Sequence, residues 1–192
     1  MKQNWNLRWP PEGLGLGAPF ISAALTGRED RNFKTVLWQS IVLGFLTAAV
    51  MLLIDQILFA GVSLTCVRAL GAEPVWVRII IIAYSAVTEE LIYRLGIMTL
   101  IAWITARVMS RMHLPSSSFP IWLGIACAAI LFGLAHVANI PNAPHPIARA
   151  VTLNGIAGVV LGWLYWKRGL EAAVIAHFAA NAFIYLGPAS IL

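Results

Sequence analysis

The chain has 192 residues, 60% of them hydrophobic and only 11% charged, and its mean hydropathy is +0.81. Such values exclude a soluble domain and imply one polytopic membrane domain, since each spanning helix needs about 20 mostly apolar residues. The net charge of +5 comes from scattered lysines and arginines with no dense basic stripe, so no nucleic acid partner is expected and the lipid bilayer is the natural surrounding.

Residues 1–35 read as a polar arm punctuated by proline and glycine and ordered only in part, with no apolar core of a cleavable signal peptide. Lys2, Arg8, Arg28, Arg31 and Lys34 place this arm in the cytoplasm by the positive-inside tendency. The cytoplasmic membrane of a bacterium is the expected location. Residues 36–192 then form the transmembrane domain. Cys66 and Cys127 make no CxxC motif, so neither a disulfide nor a thiolate metal site is expected.

The first span is predicted over 36–63, with Asp55 towards its far end. The preferred reading of Asp55 is an interfacial carboxylate in a slightly over-long helix; the alternative is a further acid reaching an internal site. A loop over 64–75 contains Pro74, which suits the start of a helix. The apolar run from Trp76 to Met109 would be about 51 Å long as a straight helix. It is therefore either one tilted or kinked element or two helices broken near Gly96.

Charge favours one crossing. Arg107, Arg111, Lys167 and Arg168 then join the arm inside, and Arg68, Arg78 and Arg149 fall outside; two crossings would erase this asymmetry. Further spans are predicted over 119–137, 148–166 and 170–186. The expected fold is an all-α polytopic bundle of five transmembrane helices, six being the alternative, with the C-terminus outside. Trp163, Tyr165 and Trp166 beside Lys167 read as an interfacial aromatic belt. Gly155, Gly158 and Gly162 are expected to face Ala172, Ala173, Ala176, Ala179 and Ala180, packing the last two helices closely.

Ionisable groups inside such runs are costly unless paired or used. Glu89 and Glu90 point about 100° apart on a helix, so they cannot share one task. Glu90 and Arg94 stand four residues apart and form a natural ion pair. Glu89 is left without a local partner and is the carboxylate available as a general base. His136 ends the segment Phe132-Gly-Leu-Ala-His136. His177 and Asn181 share a helical face and offer two hydrogen-bond donors, which suits an oxyanion hole; the plainer alternative is a polar clasp between helices. His136 falls near the end of its span, whereas His177 falls roughly 10 Å into its own from the opposite side. The two meet only if helices tilt or span boundaries shift.

The motifs EExxxR at Glu89 to Arg94, FxxxH at Phe132 to His136 and HxxxN at His177 to Asn181 occur together and in this order. In this the chain resembles the CPBP family, also called Abi or type II CAAX prenyl endopeptidase-like proteins. The stretch Asn154-Gly155 to Gly162 followed by Lys167-Arg168-Gly169-Leu170 is also similar, so the resemblance covers about residues 76–187. It implies a glutamate-dependent intramembrane endopeptidase. Glu89 would be the general base, His136 would help hold the attacking water, and His177 with Asn181 would form the oxyanion hole. Glu90 and Arg94 would be structural supports. The implied partner is a peptide or membrane-protein substrate, lipidated or not.

No cofactor is expected. Zinc held by the glutamate and the two histidines is the less favoured alternative, because HExxH is missing and Asn181 is a poor metal ligand. A non-catalytic immunity or scaffold protein binding a peptide in the same cavity is the second class of reading. A proton-relaying transporter is the third, without the internal repeat that many transporters have.

Overall fold

Apolar runs become helices here because lipid offers no partner for an open backbone N–H or C=O, and a helix satisfies these groups within itself. The computed structural model describes residues 14–27, 32–59, 70–115, 117–140 and 144–187. Its helices are α1 (Pro19–Leu25), α2 (Phe33–Phe59), α3 (Val75–Glu90), α4 (Thr99–Arg111), α5 (Phe119–Ala135), α6 (Pro146–Arg168) and α7 (Leu170–Leu186). No strand occurs among the described residues. The protein is an all-α membrane bundle. Phe33–Phe59, Phe119–Asn139 and Pro146–Arg168 are long and apolar enough to cross a bilayer, and α7 is a shorter apolar helix. The predicted first span reaches residues 60–63, which lie outside the described residues, as does most of the loop after it.

α3 begins just after Pro74 and leads without interruption into α4 through a π-helical segment, Leu91–Met98. The run does not break at Gly96. A wider i→i+5 turn keeps the backbone hydrogen-bonded while it re-aims the side chains that follow. Glu89, Glu90 and Arg94 sit at the α-to-π junction, so the local irregularity coincides with the charged cluster.

Small residues set the helix contacts, but not between the expected partners. The glycine face of α6 packs on α5: a Cβ built on Gly158 would lie 2.7 Å from the Ala129 Cα, and one on Gly162 would meet Ile125 at 3.2 Å. The alanine face of α7 instead receives α2, whose Gly44 presses against the Ala176 carbonyl and the Ala179 side chain. The expectation that α6 and α7 pack through opposed glycine and alanine faces is thus corrected. Each of these faces has a different neighbour, which lets α7 sit between α2, α3 and α6.

The aromatic-belt reading also needs revision at one position. Tyr165 is fully buried, and its hydroxyl lies 2.8 Å from Thr99 Oγ1, which itself donates to the Arg94 carbonyl. A buried phenol finds a partner inside rather than at a headgroup. Trp166 packs edge-to-face against Trp122 and carries the Lys167 ammonium 3.3 Å from its ring centroid.

Part of the N-terminal arm belongs to the core. Leu14 and Leu16 are buried with Tyr165, Leu170 and Ala173. The Leu170 N–H donates to the Gly17 carbonyl, and the Ile21 N–H donates to Glu171 Oε1 at 2.7 Å. Gly169, at φ +99°, turns α6 into α7 directly beneath Pro19, where any side chain would collide.

Candidate active site

Three helices bring the polar groups to one place. α3 delivers Glu89 and Glu90 from its last turn, α5 ends at His136, and α7 carries His177 in its third turn. Glu89 Oε2 lies 3.8 Å from His136 Nε2 and 3.6 Å from His177 Nε2. This oxygen is buried and accepts no direct hydrogen bond. The two histidines, expected to be mismatched in depth, therefore face the same carboxylate oxygen.

The second glutamate is fully enclosed. Glu90 Oε1 lies 2.8 Å from His177 Nδ1, and Oε2 lies 3.1 Å from Arg94 Nε. Arg94 is itself buried and donates from Nη2 to the Gly158 carbonyl at 3.4 Å. The expected Glu90–Arg94 pair is present. Its link to His177 was not read from the sequence, because 87 residues separate the two. Paired at both ends, Glu90 escapes much of the cost of a charge held out of water.

His136 Nδ1 lies 2.8 Å from the Phe132 carbonyl oxygen. A carbonyl only accepts, so Nδ1 bears the proton, and the neutral ring turns the lone pair of Nε2 towards Glu89. Phe132 supports the cluster from one side. Its ring packs edge-on to His136 and His177 and lies 4.9 Å beneath the Arg94 guanidinium. The phenylalanine of FxxxH thus orients three charged or titratable side chains at once.

Asn181 stands one turn beyond His177 and donates from Nδ2 to Ser85 Oγ at 3.1 Å. Ser85 lies one turn before Glu89 and was not singled out in the sequence. An amide has two N–H donors, so this bond leaves one for a further acceptor. Asn181 is therefore both a clasp between α3 and α7 and a donor on the wall of a cavity.

That cavity, of about 330 Å³, is lined by Glu89, His136, His177, Asn181 and Ser85, and also by Asp55 and Arg149. Asp55 is not the interfacial carboxylate expected. It is buried and makes a bidentate pair with Arg149, at 2.6 Å from Nε and 2.7 Å from Nη2. The sequence reading treated Asp55 as lone because its partner lies 94 residues away, at the start of another helix. Among the described residues, no group of three or more His, Cys, Asp or Glu side chains has the arrangement of a metal site.

Lipid-facing apolar helices that turn their ionisable side chains inward onto a cavity define an integral membrane protein with an internal polar site. The family model for Type II CAAX prenyl endopeptidase Rce1-like proteins matches residues 71–183, and the chain belongs to that family. No curated protein and no solved structure matches it. At the family level the chain is a CAAX-type intramembrane protease, a hydrolase whose substrate is a membrane-embedded peptide.

Proposed function

We propose that the protein is a glutamate-dependent intramembrane endopeptidase in which Glu89 activates water. The observation that carries this reading is the position of Glu89 Oε2, 3.8 and 3.6 Å from two imidazole Nε2 atoms. These separations are too long for direct hydrogen bonds, so the carboxylate and the two imidazoles are left to act on a water held in the cavity they line. Such a water donates one proton to Glu89 and the other to the lone pair of His136 Nε2, which leaves its own lone pair aimed at a scissile carbonyl.

Glu89 takes the proton as the water attacks. The oxyanion that forms is held by His177 and by the second N–H of Asn181. Because His177 Nδ1 donates to Glu90, its Nε2 is a donor only in the imidazolium form, and Glu89 and Glu90 together balance the charges of His177 and Arg94. Protonated Glu89 then delivers its proton to the leaving amine, the peptide C–N bond breaks, and two free chain ends result. No covalent intermediate is required, since no Ser or Cys is matched to these groups.

A zinc hydrolase built on Glu89, His136 and His177 is the runner-up, favoured only by the convergence of both Nε2 atoms on one carboxylate. It is the less favoured reading because HExxH is missing and Asn181 is a hydrogen-bond donor but a poor metal ligand.

The test is incubation of the purified protein, in liposomes, with a library of transmembrane and prenylated peptides, followed by mass spectrometry. Wild type and Glu89→Gln are compared with and without a chelator. Chelator-resistant cleavage by wild type alone supports the proposal. Loss of cleavage with chelator transfers the same residues to a metal mechanism. Cleavage by both variants removes Glu89 from the role of base, and absence of cleavage together with a Glu89→Gln variant that keeps full biological activity favours a binding protein.

A further inference from the structure

α2 is pinned to the bundle at two places. Its buried residues are Val36, Ser40, Gly44, Thr47, Ala48 and then, two turns later, Asp55 alone. The first anchor is the close approach of Gly44 to α7. The second is the bidentate bond from Asp55 to Arg149 on α6. Between them Met51 and Leu52 face the cavity, while Leu53 and, beyond Asp55, Ile57 and Leu58 face outward. The last three turns of α2 therefore form a wall over the cavity, and Asp55 is their one buried attachment.

Arg149 lies in the first turn of α6, where the helix dipole repels a cation. Helix stability does not select this placement, and a buried ion pair adds little net stability over apolar packing. The pair does supply an attachment that is specific in position and can be opened. Asp55 also lies outside the matched stretch 71–183, whereas Arg149 lies inside it together with Ser85, Glu89, His136, His177 and Asn181.

We propose that the Asp55–Arg149 pair is a latch that closes the end of α2 over the cavity and so limits the size of the group admitted beside Glu89. Asp55 and Arg149 are specificity-determining residues in this account, and they touch neither the reacting water nor the scissile bond. The inference rests on reading the cavity as the substrate site, but its test needs no turnover.

A single cysteine is placed at Leu153, a cavity-lining residue one turn beyond Arg149, in a Cys66→Ser/Cys127→Ser background. Its labelling in liposomes is timed with N-ethylmaleimide and with a bulky fluorescein maleimide. Asp55→Asn opens the latch, and Asp55→Asn/Arg149→Gln opens it without leaving an unpaired buried charge that could unfold the chain. Each is expected to raise the bulky-to-small ratio of labelling rates by about tenfold. An unchanged ratio in the folded double variant overturns the latch. An equal rise for both reagents also overturns it, because that is a general loosening of the bundle. Since the readout is independent of catalysis, a failed latch and a failed endopeptidase reading remain distinguishable.

Discussion

His177 holds Glu90 through Nδ1 at 2.8 Å while it presents Nε2 to Glu89 at 3.6 Å, so one imidazole ties the two adjacent carboxylates into one network. The i, i+1 pair that diverges along α3 is reunited by a side chain from α7. In the proposed mechanism Glu90 acts on the chemistry through His177, although it is fully buried.

Replacement of Glu90 separates that role from the role of Glu89. Glu90→Gln leaves Arg94 buried beside a neutral amide and is expected to destabilise the fold by about 3 kcal/mol. Thermal unfolding in detergent measures the loss. Glu89→Gln, at a partly exposed site, is expected to unfold at the temperature of the wild type.

Asn181 and Ser85 give a graded pair. Asn181→Ala removes an oxyanion donor and is expected to lower kcat by about 10²–10³-fold. Ser85→Ala only frees the amide from its clasp and is expected to lower kcat by less than about tenfold. Steady-state cleavage of one peptide by both variants checks the order; equal losses would make Asn181 a clasp alone.

The glycines of α6 are predicted to differ sharply. Gly158→Ala forces a methyl to 2.7 Å from the Ala129 Cα and is expected to cost about 1–3 kcal/mol through overpacking. Gly155→Ala meets its nearest neighbour, the Ala129 carbonyl oxygen, only at 4.0 Å and is expected to be neutral or slightly stabilising. Unfolding midpoints of the two variants decide this.

Tyr165→Phe removes the hydroxyl that pairs with Thr99 beneath the π-helical segment. Thr99 keeps its bond to the Arg94 carbonyl, so the expected loss is only about 1 kcal/mol. Activity should be unchanged. A large loss of activity would show that the π-helical segment needs this bond to aim Glu89 and Glu90.

The sequence disclosed what local spacing can carry. Apolar runs placed the helices, the i, i+4 spacing announced Glu90–Arg94, and the cost of charge in lipid singled out Glu89, His136 and His177. The spacing also put Asn181 on the face of His177. Contacts between distant residues were not legible. Periodicity on α6 and α7 shows that each has a small-residue face, but not that Gly158 seeks Ala129 or that Gly44 seeks Ala176. Asp55 read as interfacial for the same reason: a lone carboxylate near a helix end looks solvated until Arg149 is brought to it. The π-helical form of Leu91–Met98 is a third case: charge favoured one continuous crossing, but a π-helical turn has no local spacing signature.

The central claim is that Glu89 is the base, and the most direct measurement is single-turnover cleavage of one identified peptide in chelator-treated liposomes. Wild type and Glu89→Gln are compared at saturating enzyme, with unfolding temperatures matched. The account predicts that the wild-type rate survives the chelator and that Glu89→Gln is slower by at least about 10²-fold. A Glu89→Gln rate equal to that of the wild type would contradict it.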